Sequence, residues 1–216
     1  KVINEASISK VRRGGSPGFT IVLRGTAQLD GFPLAKSALI RAAETWMALI
    51  RTPATVYIDV DFGPTRFGDP YPSGVLGSTD SNFPDTASTW SAIRARLLTK
   101  SNSQAETDLL NLMPAAAGIP TTEGTATLVY ISEIPRRALE IIGSTAPAPS
   151  CDEGEGCVSS VGFNSAFPYD FDPLNGVDSN KQDFNATALH EFGHALGFVS
   201  HAGFKELVPS NPVVLT

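Results

Sequence analysis

His190, His194 and His201 fall within twelve consecutive positions and are the only histidines of a 216-residue chain. On an α-helix, residues four apart differ by about 40° in rotation and about 6 Å in rise, so His190 and His194 project from one face towards one point. Two neutral imidazole nitrogens meeting at a point suit a metal ion, and Zn²⁺ binds them at about 2.0–2.1 Å. Glu191 stands about 100° round from His190, too far round to be the natural third ligand and well placed to accept a proton from a water at the metal. A catalytic zinc site takes about three protein ligands and keeps its fourth position open for that water. The ion brings the water's pKa towards about 7 and polarises a scissile carbonyl, while a nearby carboxylate carries the proton to the leaving amine. The competing reading is a helix whose histidines bond only to backbone carbonyls or solvent.

The segment upstream supplies the helix such a site needs. Asp183 and Asn185 are N-cap types, and good helix formers follow them. Leu189, Phe192, Leu196 and Val199 recur at intervals of three and four, giving a core-facing stripe beside the histidines. Gly193, Gly197 and Gly203 make a break in or after the helix easy to place. In an unbroken helix His201 would lie about 10.5 Å along the axis from His194, beyond the reach of one ion with bonds of about 2 Å. The helix must therefore stop near Gly197 if His201 is to ligate, and otherwise the third ligand comes from elsewhere.

His190-Glu191-x-x-His194 is the zinc-hydrolase pattern, and with Gly197 it resembles the opening of the metzincin endopeptidase signature, His-Glu-x-x-His-x-x-Gly-x-x-His. Gly193-His194-Ala195-Leu196-Gly197-Phe198 also resembles secreted bacterial metalloproteases related to metzincins. The last histidine of the signature would fall at Ser200; here it stands one residue later, at His201. Met47 and Met113 lie far upstream, so no Met-turn follows the motif. The resemblance implies Zn²⁺ bound by His190, His194 and His201, Glu191 as general base and acid, and a protein or peptide substrate laid along an exposed sheet edge. The thermolysin-like class would take a glutamate from a later helix. Glu206, the one carboxylate left, follows His194 too closely for that.

A coarse pass finds a strand at 19–29, a helix from Pro33 to about Ile50 with Leu34, Ala38, Ala42, Trp46 and Leu49 on one face, and a strand at 55–62. That order implies a right-handed crossover and a parallel strand pair. Residues 63–84 read as a long Pro- and Gly-rich loop. Helices at 86–99 and 103–112 follow, the second opened by the capping box Ser103-x-x-Glu106, and together they form a helical insertion over about 84–113. Strands at 125–131 and 158–163 flank a short helix at 135–142, and the 158–163 strand, leading into the histidine helix, is the candidate substrate edge. The fold class is α/β, in the α+β zincin-like sense: a twisted, mostly parallel sheet with a backing helix and an active-site helix carrying the motif. The whole of 1–216 forms one catalytic domain. The fifteen residues after His201 read as a loop with Pro209 and Pro212, so a C-terminal subdomain is expected to be missing and to belong to a further segment of the same precursor.

Cys151 and Cys157 flank an acidic, glycine-containing spacer suited to a small disulfide ring, which implies an oxidising, extracellular setting. Asp170, Asp172, Asn175, Asp178, Asn180 and Asp183 crowd the approach to the motif. Oxygen ligands at loop spacing suit Ca²⁺, and the same residues are ordinary turn and cap formers. A net charge of −6 argues against a nucleic-acid partner or an anionic membrane surface, and no apolar run approaches the roughly 20 residues that span a bilayer. The expectation is a secreted zinc endopeptidase. The alternative is a catalytically silent structural or binding module that retains the zinc motif.

Overall fold

The computed structural model describes residues 9–11, 18–82, 87–121, 124–143, 158–172, 174–199 and 213–215. In chain order the first half runs β1 (Ser9–Val11), β2 (Thr20–Gly25), α1 (Ala27–Asp30), α2 (Pro33–Leu49), β3 (Thr55–Gly63), β4 (Thr65–Arg66), β5 (Asp69–Pro70) and β6 (Gly77–Ser81). There follow β7 (Ser88–Thr89), α3 (Trp90–Lys100), α4 (Gln104–Asn111), β8 (Ile119–Thr121), β9 (Gly124–Ala126), β10 (Leu128–Ile131) and α5 (Glu133–Ala138). The last third holds β11 (Ser159–Asn164), β12 (Tyr169–Asp170), β13 (Gln182–Asp183), α6 (Phe184–Ala195) and β14 (Val213–Leu215). Among the described residues, no helix is long and apolar enough to cross a membrane.

The main sheet has the order β1-β2-β3-β11-β6. Its three middle strands are parallel, and β1 and β6 lie antiparallel at the two ends. The β2–β3 pairing is the expected parallel pair around α2. The strand expected at 158–163 is not the edge: β11 pairs with β3 on one side and β6 on the other, and all six of its residues are buried. The end strand is β6, which lies inside the stretch expected to be a loop. Gly77-Ser-Thr-Asp-Ser carries only small and polar side chains, so nothing in its pattern marks a strand, yet its backbone satisfies the open side of β11.

Alternation sets the faces. Val56, Ile58, Val60 and Phe62 point from β3 into the core, and Asp59 and Asp61 point the other way, also buried. Asp59 accepts from Arg24 Nε at 2.5 Å, and Asp61 is bound by Thr26, Gln28 and the amides of Phe62 and Phe67. On the core side α2 backs the sheet through Ala35, Ala38, Leu39, Ala42, Ala43 and Met47; Leu34 and Leu49, expected on that face, are exposed. The strand expected at 19–29 stops at Gly25, where Thr26 caps the short α1.

The two expected insertion helices are present as α3 and α4, and Ser103 caps α4 by accepting from Glu106 N at 3.1 Å. The strand expected at 125–131 breaks at Thr127. Its second half, β10, does not join the main sheet; it forms a three-stranded sheet with β7 and β14. Trp90, Ile93, Val129 and Ile131 make a small separate core there. Part of the tail expected to be loop is thus the strand Val213–Leu215, parallel to β10.

Candidate metal centre

Asp183 begins α6, its carboxylate accepting from Ala186 N at 2.9 Å. Phe184 plugs the first turn into the core, its ring 5.0 Å from Phe163, 5.4 Å from Phe62 and 4.8 Å from Phe171. Trp46 of α2 then fixes the middle of the helix by donating Nε1–H to Leu189 O at 3.1 Å. Gly193 permits that approach, since a Cβ there would lie 3.3 Å from the Trp46 ring.

The helix ends beside Gly197, at the stop expected from the sequence. Leu196 is the C-cap and Gly197 has φ +100, in the region that favours glycine. Gly197 N donates to His194 O at 3.0 Å and Phe198 N to Gly193 O at 2.9 Å, the paired bonds of a Schellman turn. Phe198 stacks on Trp46 with ring centroids 5.2 Å apart, which clamps the turn to α2.

His190 and His194 come together as expected, their Nε2 atoms 2.9 Å apart. Two tetrahedral zinc ligands with bonds of about 2.0–2.1 Å sit about 3.3 Å apart, so the rings need to part by only about 0.4 Å to share an ion. His194 Nδ1 lies 2.9 Å from Phe198 O, and the neutral tautomer that donates there leaves Nε2 with its lone pair free. The turn that ends the helix therefore also aims one imidazole. Among the described residues, no group of three or more His, Cys, Asp or Glu side chains gathers at one point. His201 lies outside the described residues, as do Cys151 and Cys157.

Glu191 turns inward, 8% exposed, against β6. Thr79 Oγ1 lies 2.6 Å from Glu191 Oε2 and 2.9 Å from Glu191 O, so its one proton serves either oxygen. The Glu191 stem packs at Gly77, where a Cβ would come within 3.3 Å of Glu191 Cγ. Glu191 in turn helps to hold the Tyr169 phenol above its ordinary pKa, after the larger effect of burial. Sequence reasoning missed Thr79 because it lies 112 residues from its partner, in a stretch without strand pattern.

A cleft of about 290 Å³ opens beside His194, between the end of β6, Ser132 at the start of α5, and Gly197 and Val199 beyond α6. The acidic approach loop is knit by its own backbone. Asp170 accepts from the amides of Asp178 and Asp172, which hold its carboxyl below the usual range, and Asp172 accepts from Leu174 N. Asp178 pairs with Lys181 at 2.7 Å. A comparison with protein-family models, with curated proteins and with solved structures finds no match for the chain.

Proposed function

We propose that the chain is an extracellular zinc-dependent endopeptidase of metzincin-like type, with His190 and His194 as ligands, His201 as the third, and Glu191 as general base and acid. The observation that carries this reading is the convergence of two imidazole Nε2 atoms at 2.9 Å, one ring fixed by the Phe198 carbonyl, beside a carboxylate on the same helix. Zinc bound there supplies a Lewis acid that acidifies a water and polarises the scissile carbonyl. Thr79 holds Glu191 Oε2, which leaves Oε1 to take the proton of the attacking water and return it to the leaving nitrogen. Among the described residues β6 forms the end of the sheet, and its open backbone offers an extended peptide the hydrogen bonds of an added strand.

Zinc titration and peptide hydrolysis test the reading together. Glu191→Gln keeps the ligands and is expected to retain zinc while hydrolysis falls by orders of magnitude; His190→Ala and His194→Ala are expected to release the ion. His201→Ala beside the parent decides the third ligand, and unchanged affinity removes His201 from the set. A catalytically silent binding module is the second reading, favoured by the inward turn of Glu191. Zinc bound with no hydrolysis of any peptide by the parent chain would establish that reading instead.

A further inference from the structure

The geometry points to a substrate specificity: we infer that the cleft beside His194 receives a neutral carboxamide side chain, glutamine or asparagine, from the bound peptide, an inference that rests on the endopeptidase reading. The floor of the cleft is Ser132, 2% exposed, whose Oγ has no hydrogen-bond partner among the described residues. Its position explains the vacancy. Ser132 is the N-cap of α5, and an N-cap serine ordinarily accepts from the amide two or three residues on. The residue three on is Pro135, which has no N–H, and Ser132 makes no side-chain cap bond. Pro135 packs on Gly197, where an added Cβ would meet its Cγ at 2.8 Å and Ser132 Oγ at 3.8 Å, so Ser132 and Gly197 stand together in the cleft lining.

The other polar wall is Ser81, whose Oγ is 3.5 Å from both Ser159 Oγ and His194 O, at the outer limit of hydrogen bonding. It has capacity for a better partner. Asp80 also lines the cleft, but Thr79 and Ser81 both reach α6, so alternation turns the Asp80 carboxylate to the opposite face of β6, and the side chains that β6 turns towards α6 are hydroxyls. A hydroxyl both donates and accepts, and a carboxamide presents a carbonyl and an NH₂ side by side. An ionised side chain gives up more solvation than two neutral hydroxyls return. An apolar one leaves Ser132 Oγ buried and unpaired.

The test uses zinc-loaded Glu191→Gln protein, which holds peptides uncleaved, and fluorescein-labelled alanine hexapeptides carrying one Gln, Asn, Leu, Glu or Lys at each position in turn. Anisotropy is expected to show Gln or Asn at one position bound roughly 3–10-fold more tightly than Leu there, the yield of one or two neutral hydrogen bonds. Ser132→Ala is expected to erase that gap while leaving the Leu peptide unchanged, and Ser81→Ala, farther from the core, to narrow it. Leu, Glu or Lys bound as tightly as Gln, or a gap that survives Ser132→Ala, overturns the pocket and leaves the endopeptidase reading standing. Failure of every peptide to bind and to be cleaved by the parent overturns both.

Discussion

Replacing Gly197 by alanine tests the link between the helix stop and the proposed metal centre. Gly197 has φ +100, and an added Cβ would stand 2.8 Å from Pro135 Cγ, about 1 Å inside ordinary carbon contact. A non-glycine residue held in that backbone region costs about 1–3 kcal/mol. Overpacking against a proline ring that cannot rotate away adds about 1–3 kcal/mol. The expected loss is therefore about 4 kcal/mol, or roughly 8–16 °C in Tm for a domain of this length. Relief of the strain would unwind the Schellman turn and withdraw the Phe198 carbonyl from His194 Nδ1, a second-layer contact of a kind worth about 10–100-fold in metal affinity. Urea unfolding of the zinc-free protein measures the first effect, and competition with a chromophoric chelator measures the second. A Gly197→Ala protein within about 0.5 kcal/mol of the parent would refute the strain argument; the expected destabilisation with unchanged zinc affinity would refute the coupling of turn to ligand.

Thr79→Val is expected to leave zinc affinity unchanged and lower kcat about tenfold with little change in KM, and Thr79→Ser to restore it, since only the hydroxyl aims Glu191; a valine variant with full kcat would remove Thr79 from the site. Asp183→Ala deletes the cap of α6 and is expected to cost about 1 kcal/mol in denaturant unfolding, with Asp183→Asn close to the parent. Asp170 carries a depressed folded-state pKa because two amides stabilise its charged form, so its contribution is present above the unfolded carboxylate pKa and lost as pH falls through the lower folded value. An NMR titration is expected to place its midpoint below the ordinary carboxylate range, and a midpoint at or above that range contradicts the assignment of those bonds.

What the sequence made legible is the part that local chemistry controls. The α6 helix, its Asp183 cap, its stop at Gly197, the Pro33 start of α2 and the parallel β2–β3 pair each follow from neighbouring residues. The misread elements share a physical cause. In β11, Ser159, Ser160 and Asn164 are as buried as Val161 and Phe163 because Asp80 O, Arg66 and Val75 O satisfy them, so polarity there signals hydrogen bonding and not a solvent edge. In β6 the strand is imposed by β11, with no apolar alternation of its own. The α2 stripe holds at Ala38, Ala42 and Trp46 and fails at its ends, because Ala35, Ala43 and Met47 carry the contact there and the larger Leu34 and Leu49 do not. The Ser132 hydroxyl was hidden for a different reason, since only the three-dimensional meeting of α5 with Gly197 brings it beside the histidine helix.

The insertion of β11 between β3 and β6 also fixes when the site can exist. β3 and β6 are successive strands of the main sheet along the chain, yet they are separated in the sheet by a strand that begins at residue 159. Until that strand is synthesised and threaded into place, β6 has no ladder to join, and α6 follows later still. Pairings across such long sequence separations are slow because loop closure must precede the contacts that reward it. His190, His194, Thr79 and Glu191 are therefore expected to come together late in folding, so that on the endopeptidase reading a half-made chain presents no hydrolytic centre to itself or its neighbours. Pulse-labelled hydrogen exchange should find the β6 and β11 amides protected together in the slowest phase, and β6 protected ahead of β11 would break this order.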